Sequence, residues 1–137
     1  MRRVPDGDRG SMAVEVVVLV PVLVMVMMLV VAFGRYVSAE GAAEAAAREA
    51  VRAATLERDL ASASAAARGT AADALPSTVS CDPAVLSGAF VAGGVVRVDL
   101  TCRVSWHDLG LIGLRGTSPV SASSSAPLDQ YRRTGGP

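Results

Sequence analysis

The sequence has few aromatic residues, one histidine and two cysteines, and each shortage excludes a class of protein. Aromatic residues make up 4% of the 137 residues, so a core built on large rings is excluded and one small folded domain is the most that fits. Because the only histidine is His107 and no Cys-x-x-Cys pair exists, a metal site is not expected. The chain carries no catalytic constellation and no cofactor motif, so we expect neither an enzyme nor a bound cofactor.

The sequence also lacks an excess of either charge. Thirteen basic residues, all of them arginine, balance thirteen acidic ones, so the formal net charge is zero. The first ten residues hold three Arg and two Asp, which leaves ten basic against eleven acidic side chains in the rest of the chain. A balance of this kind provides no basic footprint for a phosphate backbone, so nucleic acid is not an expected partner.

What the sequence does have is one long apolar run near its start. From Met12 to Phe33 every residue is apolar or proline except Glu15, and as a helix this stretch is about 33 Å long, enough to cross a lipid bilayer. Three arginines, at positions 2, 3 and 9, precede the run. The positive-inside rule therefore predicts a single-pass protein of the cell membrane with a cytoplasmic N-terminus and an extracytoplasmic C-terminus.

Glu15 and Pro21 interrupt this run. A carboxylate costs on the order of 2.5 to 3.5 kcal/mol at the middle of a spanning helix and less near its end, so it needs a partner. If the chain is cut after Gly10, the new ammonium group of Ser11 lies one helical turn from Glu15, and the two charges can neutralise each other within one subunit or between neighbours. Gly10 suits such a cut because a residue without Cβ enters a peptidase cleft easily.

Pro21 leaves the carbonyl of Val17 without its helical hydrogen bond, so a mild kink is expected.

The segment from Gly10 to Pro21, with sequence GSMAVEVVVLVP, resembles the type IV prepilin signal: a short basic leader, Gly before the cut, Glu five residues on, and a long apolar helix. With proline six residues after the glutamate, it is similar to the TadE-like family of pseudopilins. The closing segment 126–132, APLDQYR, is also similar to that family's end. The resemblance implies a minor pilin or assembly factor of the tight-adherence (Flp) pilus, cleaved by a prepilin peptidase. It also implies partners among other pilins and the inner-membrane platform.

Two other interpretations of the run remain open. An unprocessed single-pass protein with an extracytoplasmic binding domain requires neither Gly10 nor Glu15. A secretory signal peptide would be cut after Val37-Ser38-Ala39, which leaves Glu40 as the new N-terminus. The run is longer than the 7 to 15 residues typical of a signal-peptide core, which counts against that cut.

Past Arg35 and Tyr36 the alanine content rises, which predicts that the helix continues without a break to about Ala54 or further toward Arg68. Glu44 and Arg48 have the favourable order for an ion pair one turn apart. Gly69 indicates a helix end, and Leu75-Pro76 closes the helical region.

Alanines at positions 39, 43 and 47 form a stripe of small residues. They are either a packing surface between subunits or a result of alanine bias.

From Val95 to Trp106 apolar and polar residues alternate, which predicts a strand with one buried face. We expect a partner strand at Phe90–Ala92, a tight turn at Gly93-Gly94 and a third strand at Val120–Ala126. Trp106 is expected to pack the strand against the helix. The predicted fold class is therefore α+β and membrane-anchored: a long N-terminal helix on a small antiparallel sheet of about three strands.

Cys81 and Cys102 both follow the membrane segment and, in an oxidising compartment, most simply form a disulfide. Two buried free thiols are the alternative.

The serine run at 121–125 is an edge strand, a flexible surface or a glycosylated patch, and His107 with Asp108 is expected in a loop or strand end. The expected organisation is a cytoplasmic leader at 1–10, a transmembrane helix at 11–34, a helical region at 35–76 and a β domain with tail at 77–137.

Overall fold

The computed structural model describes residues 9–77, 79–106 and 116–131, with side chains from Glu15 onward. Within these residues, two helices precede four strands. They are α1 (Arg9–Leu56), α2 (Leu60–Ala74), β1 (Val79–Cys81), β2 (Val85–Gly88), β3 (Val95–Ser105) and β4 (Thr117–Pro127). This is the predicted α+β fold, with a long apolar N-terminal helix and a small antiparallel sheet that has four strands rather than three.

Helix α1 joins the apolar run to the alanine-rich segment without a break. It contains 48 residues, which corresponds to about 72 Å at 1.5 Å per residue. The predicted continuation to about Ala54 is confirmed, and the Glu44 carboxylate pairs with Arg48 at 3.5 Å as expected. The extension toward Arg68 as a single helix is wrong, because the chain leaves the helix after Leu56.

Asp59 starts the second helix. Its carboxylate accepts hydrogen bonds from the hydroxyl of Ser62 and from the Ser62 backbone N–H, the latter at 2.8 Å. The hydroxyl bond and the backbone bond hold the pKa of Asp59 below its usual value of 3.8. A side-chain acceptor at this position satisfies one of the N–H groups that a helix start leaves open, so α2 has a defined first residue.

Helix α2 packs along α1 and does not end at Gly69. It continues to Ala74, so the helix end predicted after Arg68 is wrong. Ala67 and Ala71 lie on either side of Gly69 and are 0% and 2% exposed. Their burial against α1 outweighs the cost of about 1 kcal/mol that glycine brings to a helix. The predicted stop at Leu75-Pro76 is confirmed, since Leu75 is the C-cap.

Strand β3 is the centre of the sheet. β4 pairs with one side of it along all eleven residues, and β1 and β2 follow each other along the other side. Cys81 is opposite Cys102 in the register, while Val85 is opposite Asp99. The three residues 82–84 therefore face only two residues of β3, as in a β-bulge, and β1 and β2 form one interrupted edge.

The loop between β2 and β3 differs from the prediction. Phe90–Ala92 is not a strand but part of this loop, and the true partner strand is β2. The predicted turn is present: the Gly94 N–H donates to the Val91 carbonyl at 2.8 Å, and Gly93 has φ +73°. A positive φ at the third turn residue favours glycine, which explains why the chain reverses there.

The third predicted strand is confirmed and is longer than expected, since β4 extends beyond Val120–Ala126 at both ends. It contains the serine run at 121–125 and, among the described strands, pairs only with β3. The edge-strand alternative for that run is therefore the one that the structure supports.

The core lies between the alanine face of α1, the alanines of α2 and the inward face of the sheet. Its largest fully buried side chains are Val96, Val98, Leu100 and Cys102 of β3. The stripe at Ala39, Ala43 and Ala47 is 4%, 0% and 0% exposed and belongs to this core. These alanines pack within the chain, so they do not form an exposed surface between subunits.

Candidate functional site

The apolar half of α1 has little protein around it. The exposed large side chains between Val16 and Phe33 have 47–72% of their surface accessible to solvent. The most apolar window of the helix has a mean hydropathy of 3.2 and is 6% buried, whereas the core helix of a soluble protein is mostly buried. A helix that is apolar on all sides and uncovered fits lipid surroundings. Among the described residues, α1 is the one helix that is long and apolar enough to cross a membrane, and it lies near the N-terminus, as in a single-pass membrane protein.

The predicted cleavage residues lie at the start of α1. Gly10 and Ser11 belong to its first turn, and Glu15 follows one turn later, at an axial rise of about 6 Å from Ser11. The Glu15 side chain is exposed on the helix surface. Among the residues with described side chains, no cation pairs with Glu15. The helix therefore presents a carboxylate at the edge of an apolar surface.

Pro21 lies inside α1, six residues after Glu15, and does not end the helix. The ring removes the N–H that would bond the carbonyl of Val17. Val17 is 72% exposed, so this carbonyl belongs to a part of the helix that other residues of the chain do not cover. The kink that we expect at this position stays a prediction.

Residues 10–52 match the family described as TadE-like protein. This segment of the chain is similar to the TadE-like family. The match begins at Gly10, includes Glu15 and Pro21, and ends within the alanine-rich half of α1. No curated protein and no solved structure matches the chain.

The TadE-like segment carries one aromatic contact to the sheet. The ring of Tyr36 on α1 stacks on Trp106 at the end of β3, with 6.5 Å between centroids and 8° between planes. The prediction that Trp106 packs the strand against the helix is confirmed. The sequence does not predict Tyr36 as its partner, because nothing local to either residue signals a contact between positions so far apart in the chain.

The two cysteines form the expected disulfide. Cys81 and Cys102 are register partners on β1 and β3, with 3.8 Å between their Cα atoms. Cys102 is fully buried and Cys81 is half-buried, so the bond joins the core to the interrupted edge of the sheet. On the opposite face, Arg103 donates to both carboxylate oxygens of Asp82 at 3.2 and 3.3 Å. These two links hold the β1 end of the edge against β3, one on each face of the sheet.

The outward face of the sheet is polar, and its described side chains form hydrogen bonds and ion pairs with one another. Arg97 donates to Asp99 and to the Ser123 hydroxyl, both at 2.9 Å. Within residues 9–77, 79–106 and 116–131, no group of three or more His, Cys, Asp or Glu side chains could hold a metal ion. His107 and Asp108 lie outside the described residues.

The position considered for a secretory cut lies inside α1. The helix continues through Ala39 and Glu40, and the Ala39 side chain is 4% exposed against the sheet. A peptidase needs an extended and accessible backbone, and the folded chain has neither at this bond. The folded structure therefore gives no support to cleavage after Ala39.

Proposed function

We propose that the protein is a pseudopilin, acting as a minor pilin or assembly factor of a tight-adherence (Flp) pilus, and that a prepilin peptidase cleaves it after Gly10. The observation that carries the proposal is the TadE-like match, which begins at Gly10 and contains Glu15 on an uncovered apolar helix. Cleavage takes place at the cytoplasmic face, the C-terminal domain lies outside, and other pilins and the inner-membrane platform are the partners.

The position of Gly10 in the first turn of α1 favours this cut. The first four N–H groups of a helix have no partner within the helix, so opening the first turn breaks few hydrogen bonds. Gly10 also has the freedom to adopt the extended backbone that a peptidase requires. Cleavage then leaves Ser11 at the start of a helix whose later turns need not move.

The mechanism that we propose depends on the charge of Glu15. In hydrocarbon a carboxylate without a partner is costly, and the Ser11 ammonium that cleavage creates is a cation of the right sign. Ser11 lies one turn away in the same chain, and the exposed side chain of Glu15 also leaves it accessible to the Ser11 of a neighbour. Pairing between subunits sets their axial register, because only one offset brings the two charges together.

The first experiment is the intact mass of the full chain recovered from membranes of its host. We expect a mass that begins at Ser11, and a Gly10→Leu variant that keeps the mass of a chain beginning at Met1. A wild-type mass that begins at Met1 would contradict processing and favour an unprocessed anchor with an extracytoplasmic binding domain. A mass that begins at Glu40 would indicate a secreted domain.

The second experiment separates assembly from insertion. Glu15→Gln removes the charge but keeps the size, and Glu40→Gln makes the same change on the same helix beyond the apolar run. We expect Glu15→Gln to remain in the membrane fraction while its recovery with pilus components falls sharply, and Glu40→Gln to behave as wild type. Normal recovery of Glu15→Gln would refute the electrostatic mechanism without contradicting the family assignment.

A further inference from the structure

An open cleft lies where α1 meets the end of the sheet that carries the Tyr36–Trp106 stack. Its volume is about 590 Å³. One wall is the surface of α1 between Val31 and Ala39, and the other is formed by residues that begin β1 and end β3, including Val79 and Val104. No local pattern in the sequence indicates this cleft, because its walls come from three separate parts of the chain.

The cleft lies at the height where the apolar run ends. Val31 and Gly34 line its lower part, and Arg35 is the first charged residue after Glu15. From Val31 to Ser38 the helix rises by about 10 Å. That distance is comparable with the step from the hydrocarbon edge of a bilayer to its headgroups. The Tyr36–Trp106 stack lies at the same level, and Tyr and Trp favour this interface.

The lining of the cleft changes from apolar to polar in the same direction in which a phospholipid changes from acyl chain to headgroup. Val31 and Val79 offer apolar surface, whereas Ser38 offers an O–H donor and Arg35, which also interacts with another residue of the chain, has five guanidinium N–H donors. A guanidinium group binds phosphate through several N–H groups at once and is well suited to a lipid headgroup. The lipids of the surrounding bilayer reach this surface without leaving the membrane, because the lower wall is the spanning helix itself.

We propose that this cleft holds one phospholipid of the bilayer, with an acyl chain against Val31 and Gly34 and the phosphate at Arg35 and Ser38. The bound lipid fills the space between the helix and the sheet and fixes the outer domain at the membrane surface. The proposal requires the membrane span but not the pilus role, so cleavage and filament assays do not decide it.

Gly34 provides the test, because it has no side chain and no heavy atom lies within 4 Å of a Cβ built there. A Cβ at this position meets no neighbour, so we expect the leucine side chain to extend into the lower part of the cleft that Gly34 lines. Gly41 is a matched control on the same helix, with the same open space but away from the cleft. The full chain is extracted in detergent from membranes that contain phosphatidylglycerol and phosphatidylcholine, and native mass spectrometry counts the retained phospholipids.

We expect wild type and Gly41→Leu to retain one phospholipid, and Gly34→Leu to retain it at least about tenfold less. In vesicles, Trp106 is the only tryptophan, so quenching of its emission by brominated lipids reports the same site. Quenching should fall in Gly34→Leu alone. Equal retention or equal quenching in Gly34→Leu and Gly41→Leu would overturn the proposal, and so would the absence of a retained lipid in all three proteins.

Discussion

The positions of proline in β4 lead to a sharp prediction about its neighbours. Pro119 and Pro127 both stand at odd positions of the strand. Backbone hydrogen bonds mark the two ends of the β3–β4 ladder. The Trp106 N–H donates to the Gly116 carbonyl at 3.0 Å, and the Leu128 N–H donates to the Gly94 carbonyl at 2.8 Å. In an antiparallel ladder hydrogen-bonded residues alternate, so even residues of β4 bond to β3 and odd residues turn their N–H away. Proline is therefore tolerated at odd positions because no ladder bond is lost.

Ser124 and Ser125 test this alternation with a matched pair. Ser124 is opposite Val98, and by the alternation its N–H donates to the Val98 carbonyl, whereas Ser125 turns its N–H outward. Val98 is 0% exposed, so Ser124→Pro leaves a buried carbonyl without its partner. The cost of such a group is about 1 to 3 kcal/mol. For a domain of this size, the melting temperature should fall by roughly 4 to 20 °C relative to Ser125→Pro.

Both variants restrict the unfolded chain in the same way, so their difference isolates the ladder bond. The measurement is thermal unfolding of the full chain in detergent micelles, followed by the emission of Trp106, which is at the end of β3. We expect Ser125→Pro to melt close to wild type and Ser124→Pro clearly below it. If Ser125→Pro is as unstable as Ser124→Pro or more so, the alternation that we assign to β4 is wrong.

Three further changes test the core, the disulfide and the start of α2. Ala43→Leu overfills a site that is 0% exposed and should cost about 1 to 3 kcal/mol in thermal unfolding, while Ala45→Leu, on the exposed side, should be near neutral. Equal losses would contradict the assigned face. Replacing Cys81 and Cys102 together by Ser should cost roughly 2 to 5 kcal/mol, and unchanged denaturant unfolding would refute a stabilising role. Because the folded pKa of Asp59 is lowered, its contribution is present above the unfolded value of 3.8 and is lost as pH falls through the lower folded value. Unfolding followed by circular dichroism should show that lowering the pH reduces the stability of wild type more than that of Asp59→Asn.

The elements that the sequence predicts well are those whose signal is local and long. β3 has eleven alternating residues, and α1 combines an apolar run with an alanine-rich one, so the predicted bounds of both are nearly the true ones. β1 and β2 have three and four residues, and the extra residue at 82–84 reverses the alternation between them. Only pairing with β3 shows that they form one edge, and no local pattern contains that pairing.

The same distinction applies to the candidate site. Gly10, Glu15 and Pro21 lie within twelve residues of one another, so their spacing is visible in the sequence alone. The cleft next to Tyr36 is not visible in the sequence, because its walls meet only after the chain has folded back twice. Gly69 shows the opposite failure: a strong local signal for a helix end is overridden by the burial of the alanines on either side of it.

The continuity of α1 has a mechanical consequence. Beyond Phe33 the helix runs 23 residues further to Leu56, about 35 Å, and its alanines are packed into the sheet with no linker between span and domain. A tilt of about 20°, which is ordinary for a spanning helix, therefore swings the far end of the domain by about 12 Å. The outer domain is a lever arm, and whatever pushes or rotates the helix within the bilayer also moves that domain.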